Sequence, residues 1–252
     1  MKKSVLFAVP TYKKLQMCAD LVQSVPDETD IAIYNRLIID NSGGEVKRQF
    51  PDLESRCMIA TPVHNIGVAR SFNLALHIAS VYEYDYVIIS NDDLVLRPDT
   101  LDTLVAAAIE HDSDYKKFIF CTSGGGLNAF SLFLAPPTEL IKHIGFFEVA
   151  YFSYLEDNDM HYRLQLYGTD LVRVPGCDVE SHAVSATIQE FTGAEVEHFH
   201  RYRAKGTHEY LRKWGGGPHA EVYQTPYDSG LDSTTWHRVY YCKEDPINLP
   251  DY

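Results

Sequence analysis

The run Tyr86-Val87-Ile88-Ile89 is apolar at every position and stops at Asn91-Asp92-Asp93. It lacks the period-two alternation of a half-exposed strand. It therefore reads as a strand buried on both faces, as in a parallel sheet covered by helices. Its carboxyl end carries two adjacent acids. Ligands of open α/β sheets bind at the carboxyl ends of strands, and neighbouring carboxylates repel unless a cation or a hydrogen-bond donor neutralises them. Mg2+ or Mn2+ carrying a phosphate meets that need, since both take hard oxygen ligands. The plainer reading is a solvated acid-rich turn ahead of a helix begun by Pro98.

The preceding segments repeat the strand-then-helix alternation. Residues 5–9 read as a first buried strand, ended by Pro10-Thr11-Tyr12. Residues 15–25 carry helical spacing at Leu15, Cys18, Ala19 and Val22. A second strand over 36–41 is closed by Ser42-Gly43-Gly44, and a short third covers 57–60. Helices are expected over 68–81, with Ala69, Phe72, Leu76 and Ala79 on one face, and over 100–110. This order predicts βαβ units and a mostly parallel sheet. Beyond residue 115 apolar runs at 118–121 and 129–135 flank the loop Ser123-Gly124-Gly125-Gly126. A helix follows over 156–167, on whose surface Asp159 and Arg163 are expected to pair. A strand over 171–174 is broken by Pro175-Gly176.

Charge narrows the function. Lys plus Arg number 22 against 35 Asp plus Glu, a formal net charge of -13. That excludes a nucleic-acid or membrane-surface binder working by bulk charge, so a phosphate ligand needs a local metal or basic cluster. Cys18, Cys57, Cys121, Cys177 and Cys242 are scattered, odd in number and not in ligand spacing. They read as reduced thiols of a cytoplasmic protein. The apolar segment after Met1-Lys2-Lys3-Ser4 is short for a signal-peptide core, and no stretch approaches the ~20 apolar residues of a membrane span.

Several motifs can carry chemistry. Asp40, after the second strand, can accept a hydrogen bond from the N3–H of uracil or thymine, and Tyr12 can stack on a base; Asp40 is equally a turn aspartate before Gly43-Gly44. Asn65-Ile66-Gly67 opens a helix whose N-terminus favours anions, with Arg70 and Asn73 sharing a face opposite the core stripe. The alternative is an ordinary helix capped by Asn65, in which Gly67 only weakens the first turn. Glu156-Asp157-Asn158-Asp159 sets three acids at a helix start, either to complement the helix dipole or to hold a general base near an acceptor hydroxyl. His182 can complete the site of a borderline metal such as Mn2+, with His198 and His200 as substitutes. His198, His200 and His208 lie among Arg201, Arg203, Lys205, Arg212 and Lys213, a basic cluster suited to clamping a diphosphate or to forming a solvated helix face.

Together these motifs resemble a family. Pro10-Thr11-Tyr12, Asp40-Asn41-Ser42, Asn65-x-Gly67-x-Ala69-Arg70-x-x-Asn73 and Asn91-Asp92-Asp93 stand in the order of the GT-A glycosyltransferases of family 2. Residues 144–168, containing Glu148, Glu156-Asp157-x-Asp159 and Arg163, resemble that family's acceptor-side signature. Arg212-Lys213-Trp214-Gly215-Gly216 resembles a C-terminal motif of its rhamnosyltransferase-like members. The sequence departs from the pattern at Asn91, where the family's first acid is replaced by an amide. It also lacks the Gln-x-x-Arg-Trp motif of processive synthases.

The resemblance implies an α/β fold, a GT-A (Rossmann-like) mostly parallel sheet flanked by helices with an irregular C-terminal extension. The domain would span 1–217, with a nucleotide-binding half over about 1–115, an acceptor-side half over about 116–217, and the extension over 218–252 packed on it. It implies inverting, metal-dependent transfer of one sugar from a nucleotide-sugar donor, UDP-linked before dTDP-linked, to a glycan or other hydroxyl acceptor. Asp157 would be the base. Asp93 and His182 would hold Mn2+ or Mg2+. Pro10, Thr11, Tyr12, Asp40, Asn65, Gly67, Arg70, Asn73, Asn91 and Asp92 would bind the nucleotide, and Glu156, Asp159, Lys213 and Trp214 would lie on the acceptor or diphosphate side. Two other classes compete. One is a non-catalytic sugar-nucleotide or glycan-binding module of the same fold. The other is a sugar nucleotidyltransferase, whose Gly-rich loop is absent from Pro10-Thr11-Tyr12-Lys13-Lys14.

Overall fold

The computed structural model describes residues 1–111, 119–121, 131–152, 154–169, 171–177, 179–181 and 188–231. Its first half runs β1 (Lys3–Thr11), α1 (Leu15–Ser24), β2 (Ala32–Asp40), α2 (Glu45–Gln49), β3 (Met58–Ala60), α3 (Gly67–Val81), β4 (Tyr86–Ser90), β5 (Leu94–Val95) and α4 (Thr100–Glu110). Its second half runs β6 (Ile119–Cys121), β7 (Leu132–Ala135), α5 (Pro137–His143), α6 (Glu156–Tyr167), β8 (Leu171–Arg173), β9 (Glu180–Ser181) and α7 (Ala194–Trp214). The main sheet has the order β3-β2-β1-β4-β7-β6-β8. β3, β2, β1 and β4 are mutually parallel, whereas β7 runs antiparallel between β4 and β6. The sheet is mostly parallel and flanked by helices, as expected.

Burial on both faces explains the uninterrupted apolar runs. Val5, Phe7 and Val9 of β1 face the layer of α1 and α4, while Leu6 and Ala8 face that of α3, α5 and α6. None of these five side chains reaches solvent, and each large one contributes about 1.5–3 kcal/mol through burial. β2 begins four residues earlier than its apolar run suggests, because Asn35, which points to water, and the buried Arg36 interrupt the run. α5 and α7 lie outside the expected elements.

The pair Asp159–Arg163 corrects the sequence reading. Arg163 Nε donates to Asp159 Oδ2 at 2.8 Å, but both side chains are wholly buried rather than on the surface of α6. They meet α7 there, and α7 in turn anchors the segment after it. The Trp214 carbonyl accepts the N–H groups of Val222 and Tyr223, each at 2.9 Å, and the Tyr162 hydroxyl donates to the Tyr223 carbonyl at 2.9 Å. Residues 232–252 of the expected extension, the loop 123–126 and His182 lie outside the described residues. Cys18, Cys57 and Cys177 are free thiols. Among the described residues no helix is long and apolar enough to cross a membrane.

Candidate active site

Because β1, β2 and β4 are parallel, their carboxyl ends reach the same edge of the sheet. The register pairs Thr11 with Asp40 at that edge. A cavity of about 720 Å3 opens there, with Pro10, Thr11, Tyr12, Asn91, Asp92 and Asp93 on its wall. Thr11 Oγ1 donates to Asp92 Oδ2 at 2.8 Å. Burial pushes the Asp92 carboxyl up to about 7; the Thr11 hydrogen bond opposes that rise and the Asp93 charge adds to it. The Tyr12 hydroxyl donates to Glu195 Oε1 at 3.2 Å, tying this edge to α7.

The next wall is the start of α3. Asn65 accepts the Gly67 N–H at 2.9 Å, and both residues line the cavity. Gly67 has φ +78°, and a Cβ there would sit 2.8 Å from the Phe152 ring and carbonyl. This glycine is a close-approach point rather than a weak first turn. It lets the Val68 N–H reach the Phe152 carbonyl at 3.1 Å.

Three expected nucleotide ligands are elsewhere. Asp40 is wholly buried. Its carboxylate accepts the Ser42 N–H at 2.9 Å, the Ser42 hydroxyl and the Val46 N–H at 3.1 Å. It braces its own loop and is absent from the cavity wall, because the turn supplies enough donors to satisfy it internally. Its neighbour Asn41, not expected as a ligand, lines the cavity instead. Asn73 is not on a free face of α3. Its amide spans the Phe147 backbone, donating at 2.9 Å and accepting at 2.7 Å. Arg70 lies outside the cavity wall.

The third wall is the start of α6. Tyr154 and Leu155 both adopt left-handed backbone, φ 69° and 76°, an arrangement that L residues rarely hold without outside support. Directly after this turn Glu156 and Asp157 line the cavity. Burial pushes both carboxyls up, Glu156 to about 8 with the Asp157 charge adding to the rise, and Asp157 to about 6 against the Asn158 N–H that favours its ionised form. Asp159, Lys213 and Trp214 are not part of this wall. Asp159 Oδ1 accepts Lys213 Nζ at 2.6 Å and Trp214 Nε1 at 2.9 Å, and all three are wholly buried. They form a brace between α6 and α7, completed by Glu148, which Lys213 reaches at 3.1 Å. Burial alone would raise the Asp159 pKa, but the Lys213 and Arg163 charges outweigh it and hold the carboxyl below its ordinary range.

α7 closes the cavity with Glu195, His198, Phe199 and Tyr202. Their spacing of i, i+3, i+4, i+7 is the sequence signal that marks this face. The expected basic clamp is dispersed. Arg201 pairs with Glu197, Arg212 with Glu209, and Lys213 sits in the buried brace; of that cluster only His198 lines the cavity.

Among the described residues no three His, Cys, Asp or Glu side chains group to hold a metal by themselves. Asp92 and Asp93 are adjacent hard-oxygen donors, half-buried at the cavity wall. They fit Mg2+ or Mn2+ shared between one or two carboxylates and a substrate phosphate, the usual arrangement for these ions at phosphate sites. The cavity therefore sets a carboxylate pair suited to a phosphate-bound cation and a second acid pair suited to proton transfer around one space.

No family model matches this sequence, and no curated protein sequence matches it. Solved structures do. A mannosyltransferase from Pyrobaculum calidifontis, in complex with GDP-Man and Mn2+, superposes with a TM-score of 0.58 at 16% identity, covering 86% of this chain and 66% of that one. S. aureus TarS in complex with UDP matches with a TM-score of 0.56 at 15% identity, over 89% of this chain and 68% of that one. Glucosyl-3-phosphoglycerate synthase from Mycobacterium tuberculosis, in complex with Mn2+, UDP and glucosyl-3-phosphoglycerate, matches with a TM-score of 0.54 at 11% identity, over 73% and 74%. The chain thus spans about two thirds of the length of the first two. It has the GT-A fold.

Proposed function

We propose that the chain is an inverting, metal-dependent glycosyltransferase of the family-2 type, moving one sugar from a nucleoside-diphosphate donor to a hydroxyl acceptor. One observation carries the reading: Asp92-Asp93 from the end of β4 and Asp157 from the start of α6 line a single cavity. The fold supports it, since structures of that fold are complexes with GDP-Man, UDP and Mn2+. UDP-sugars are the first donors to test, because two of the three neighbours hold UDP.

In this reading Asp157 accepts the proton of the acceptor hydroxyl as that oxygen attacks the anomeric carbon, while the bond from that carbon to the diphosphate oxygen breaks. Its raised pKa, about 6, makes it a stronger base than an ordinary aspartate and still leaves it largely ionised near neutral pH. Asp93, with Asp92 beside it, would hold the divalent ion, and His182 is the third candidate ligand. When bound, the ion supplies the positive charge that the departing diphosphate requires. Thr11 orients the Asp92 carboxylate, and Asn65, Gly67 and Tyr12 shape the nucleotide end. The aromatic face of α7 limits water at the reacting bond. Residues 1–115 form the nucleotide half and 116–217 the acceptor half.

Thermal-shift measurements with UDP, UDP-sugars and GDP-mannose, each with and without Mn2+, test this. A ligand at 100 times its Kd should stabilise the fold by about 2.7 kcal/mol, and the shift should vanish in EDTA. Metal-independent shifts, or none with any nucleotide, would refute it.

A further inference from the structure

The cavity carries more aromatic surface than a nucleotide base and a diphosphate call for. Rings follow one another along one wall, with centroids 6.3 Å apart for Tyr12 and Phe191, 5.8 Å for Phe191 and Phe199, and 6.0 Å for Phe199 and Tyr154. Phe152 and Tyr202 stack at 4.8 Å, and all six rings line the cavity. Tyr154 keeps 38% of its surface exposed and stands three residues before Asp157. Polar groups are sparse on this wall. Glu195, the acid that α7 brings to the cavity, is already engaged by the Tyr12 hydroxyl at 3.2 Å and by the Lys13 ammonium at 2.6 Å. The strand-end wall has the opposite character, with Thr11, Asn41, Asn65, Asp92 and Asp93 turned to the same space.

We infer that the acceptor is amphipathic: its hydroxyl meets Asp157, and an apolar, ring-bearing body lies on the wall formed by Tyr154, Phe199 and Tyr202. This acceptor class rests on the glycosyltransferase reading above. The attacking oxygen must come to Asp157, so the atoms attached to it extend over the neighbouring side chains, Tyr154 among them. Aromatic faces and edges gain from contact with apolar atoms and with further rings. A bare saccharide also has a face that can stack. Its hydroxyls, however, each need a hydrogen-bond partner once water is displaced. Beyond Asp157 this wall offers His198 and tyrosine hydroxyls, too few for a polyhydroxylated chain. The polar wall has the remaining partners, and the nucleoside diphosphate occupies it. An apolar body makes no such demand.

The test is a fluorescence titration of the full chain, saturated with UDP and Mn2+, using methylumbelliferyl glucoside, galactoside, mannoside and N-acetylglucosaminide. Methyl glycosides of the same sugars serve as competitors. At least one aryl glycoside should bind beside UDP, at least ~10-fold more tightly than its methyl counterpart. Tyr154→Asn removes a ring with a residue that tolerates the left-handed backbone, and Tyr202→Ala removes one from a different element. Each should weaken the aryl glycoside about fivefold, while Tyr154→Phe keeps wild-type affinity. Unchanged UDP affinity shows that the variants are folded. Methyl glycosides that compete as well as aryl ones overturn the inference, as does an aryl glycoside that UDP displaces, which would give the wall to the nucleotide. Aryl affinity untouched in both ring-removing variants, or no aryl binding at all, also overturns it and leaves nucleotide binding standing. Wild type that fails to bind UDP or GDP in Mn2+ would instead overturn the glycosyltransferase reading, and this inference with it.

Discussion

The hydroxyl of Thr11 donates to the carboxylate of Asp92 across 2.8 Å, joining the end of β1 to the acidic turn after β4. Thr11 is 2% exposed, so the bond is shielded from competing water. It favours the ionised form of Asp92 against the burial that raises its pKa, and it holds Oδ2 toward β1.

Thr11→Val removes that donor with little change of shape. Burial already lifts Asp92 to about 7, and a metal requires the carboxylate. Affinity for UDP in Mn2+ should therefore climb between pH 6 and 8 in wild type. In the valine variant it should be weaker by about 1 kcal/mol at pH 7, with the climb moved to higher pH. Calorimetry across that range checks both; an unmoved profile would remove Asp92 from the metal's control.

Asp40→Ala should act on stability rather than on base choice. Its carboxylate is occupied by Ser42 and Val46, and losing it strands buried donors at about 1–3 kcal/mol each. Melting should fall while any preference for uridine over cytidine nucleotides survives. A selective loss of that preference would return Asp40 to the site.

Asp159→Ala removes the carboxylate that both Arg163 and Lys213 reach in the buried brace, leaving Lys213 with Glu148, which costs about 3–5 kcal/mol. For a chain of this size that lowers Tm by roughly 10 °C. The wild-type pair also has a pH signature. The Asp159 pKa is held low in the folded chain, so its stabilisation is present above the unfolded value near 4 and is lost as pH falls through the folded value. Melting curves from pH 7 downward should show wild type losing the advantage that the alanine variant never has.

Glu156 works with the opposite sign. Its folded carboxyl is raised to about 8 from an unfolded value of about 4. Between those values the folded chain binds more protons, so stability declines as pH rises through that window. Glu156→Gln cannot ionise and should melt higher than wild type at pH 8.5 but not at pH 4. Equal melting at both would mean that the carboxyl is better solvated than its burial implies.

The parallel half of the fold is legible because strands covered on both faces leave unbroken apolar runs, as at residues 5–9 and 86–89. Edges are less so: Asn35, facing water, and the buried Arg36 interrupt the apolar run and hide the start of β2. The helix α7 is masked by its charge, although Glu195, His198, Phe199 and Tyr202 carry a readable spacing. At the cavity, the strand-end residues Thr11, Asp92 and Asp93 follow from topology alone. Asp40 and Asn41 do not, since which of two neighbours turns inward depends on the donors that the loop itself offers. Asp159 shows a further limit: its spacing to Arg163 announces a pair, but only the docking of α7, with Lys213 and Trp214, decides that the pair is buried.

The central claim is that Asp157 takes a proton during sugar transfer, and one substitution tests it most directly. Asp157→Asn keeps the size and removes the proton acceptor. Turnover of a UDP-sugar in Mn2+ should fall by at least ~100-fold, with UDP affinity and melting temperature near wild type. The wild-type rate should rise through pH 6, where Asp157 ionises. Near-native turnover in the folded asparagine variant, with an unchanged pH profile, would contradict the account.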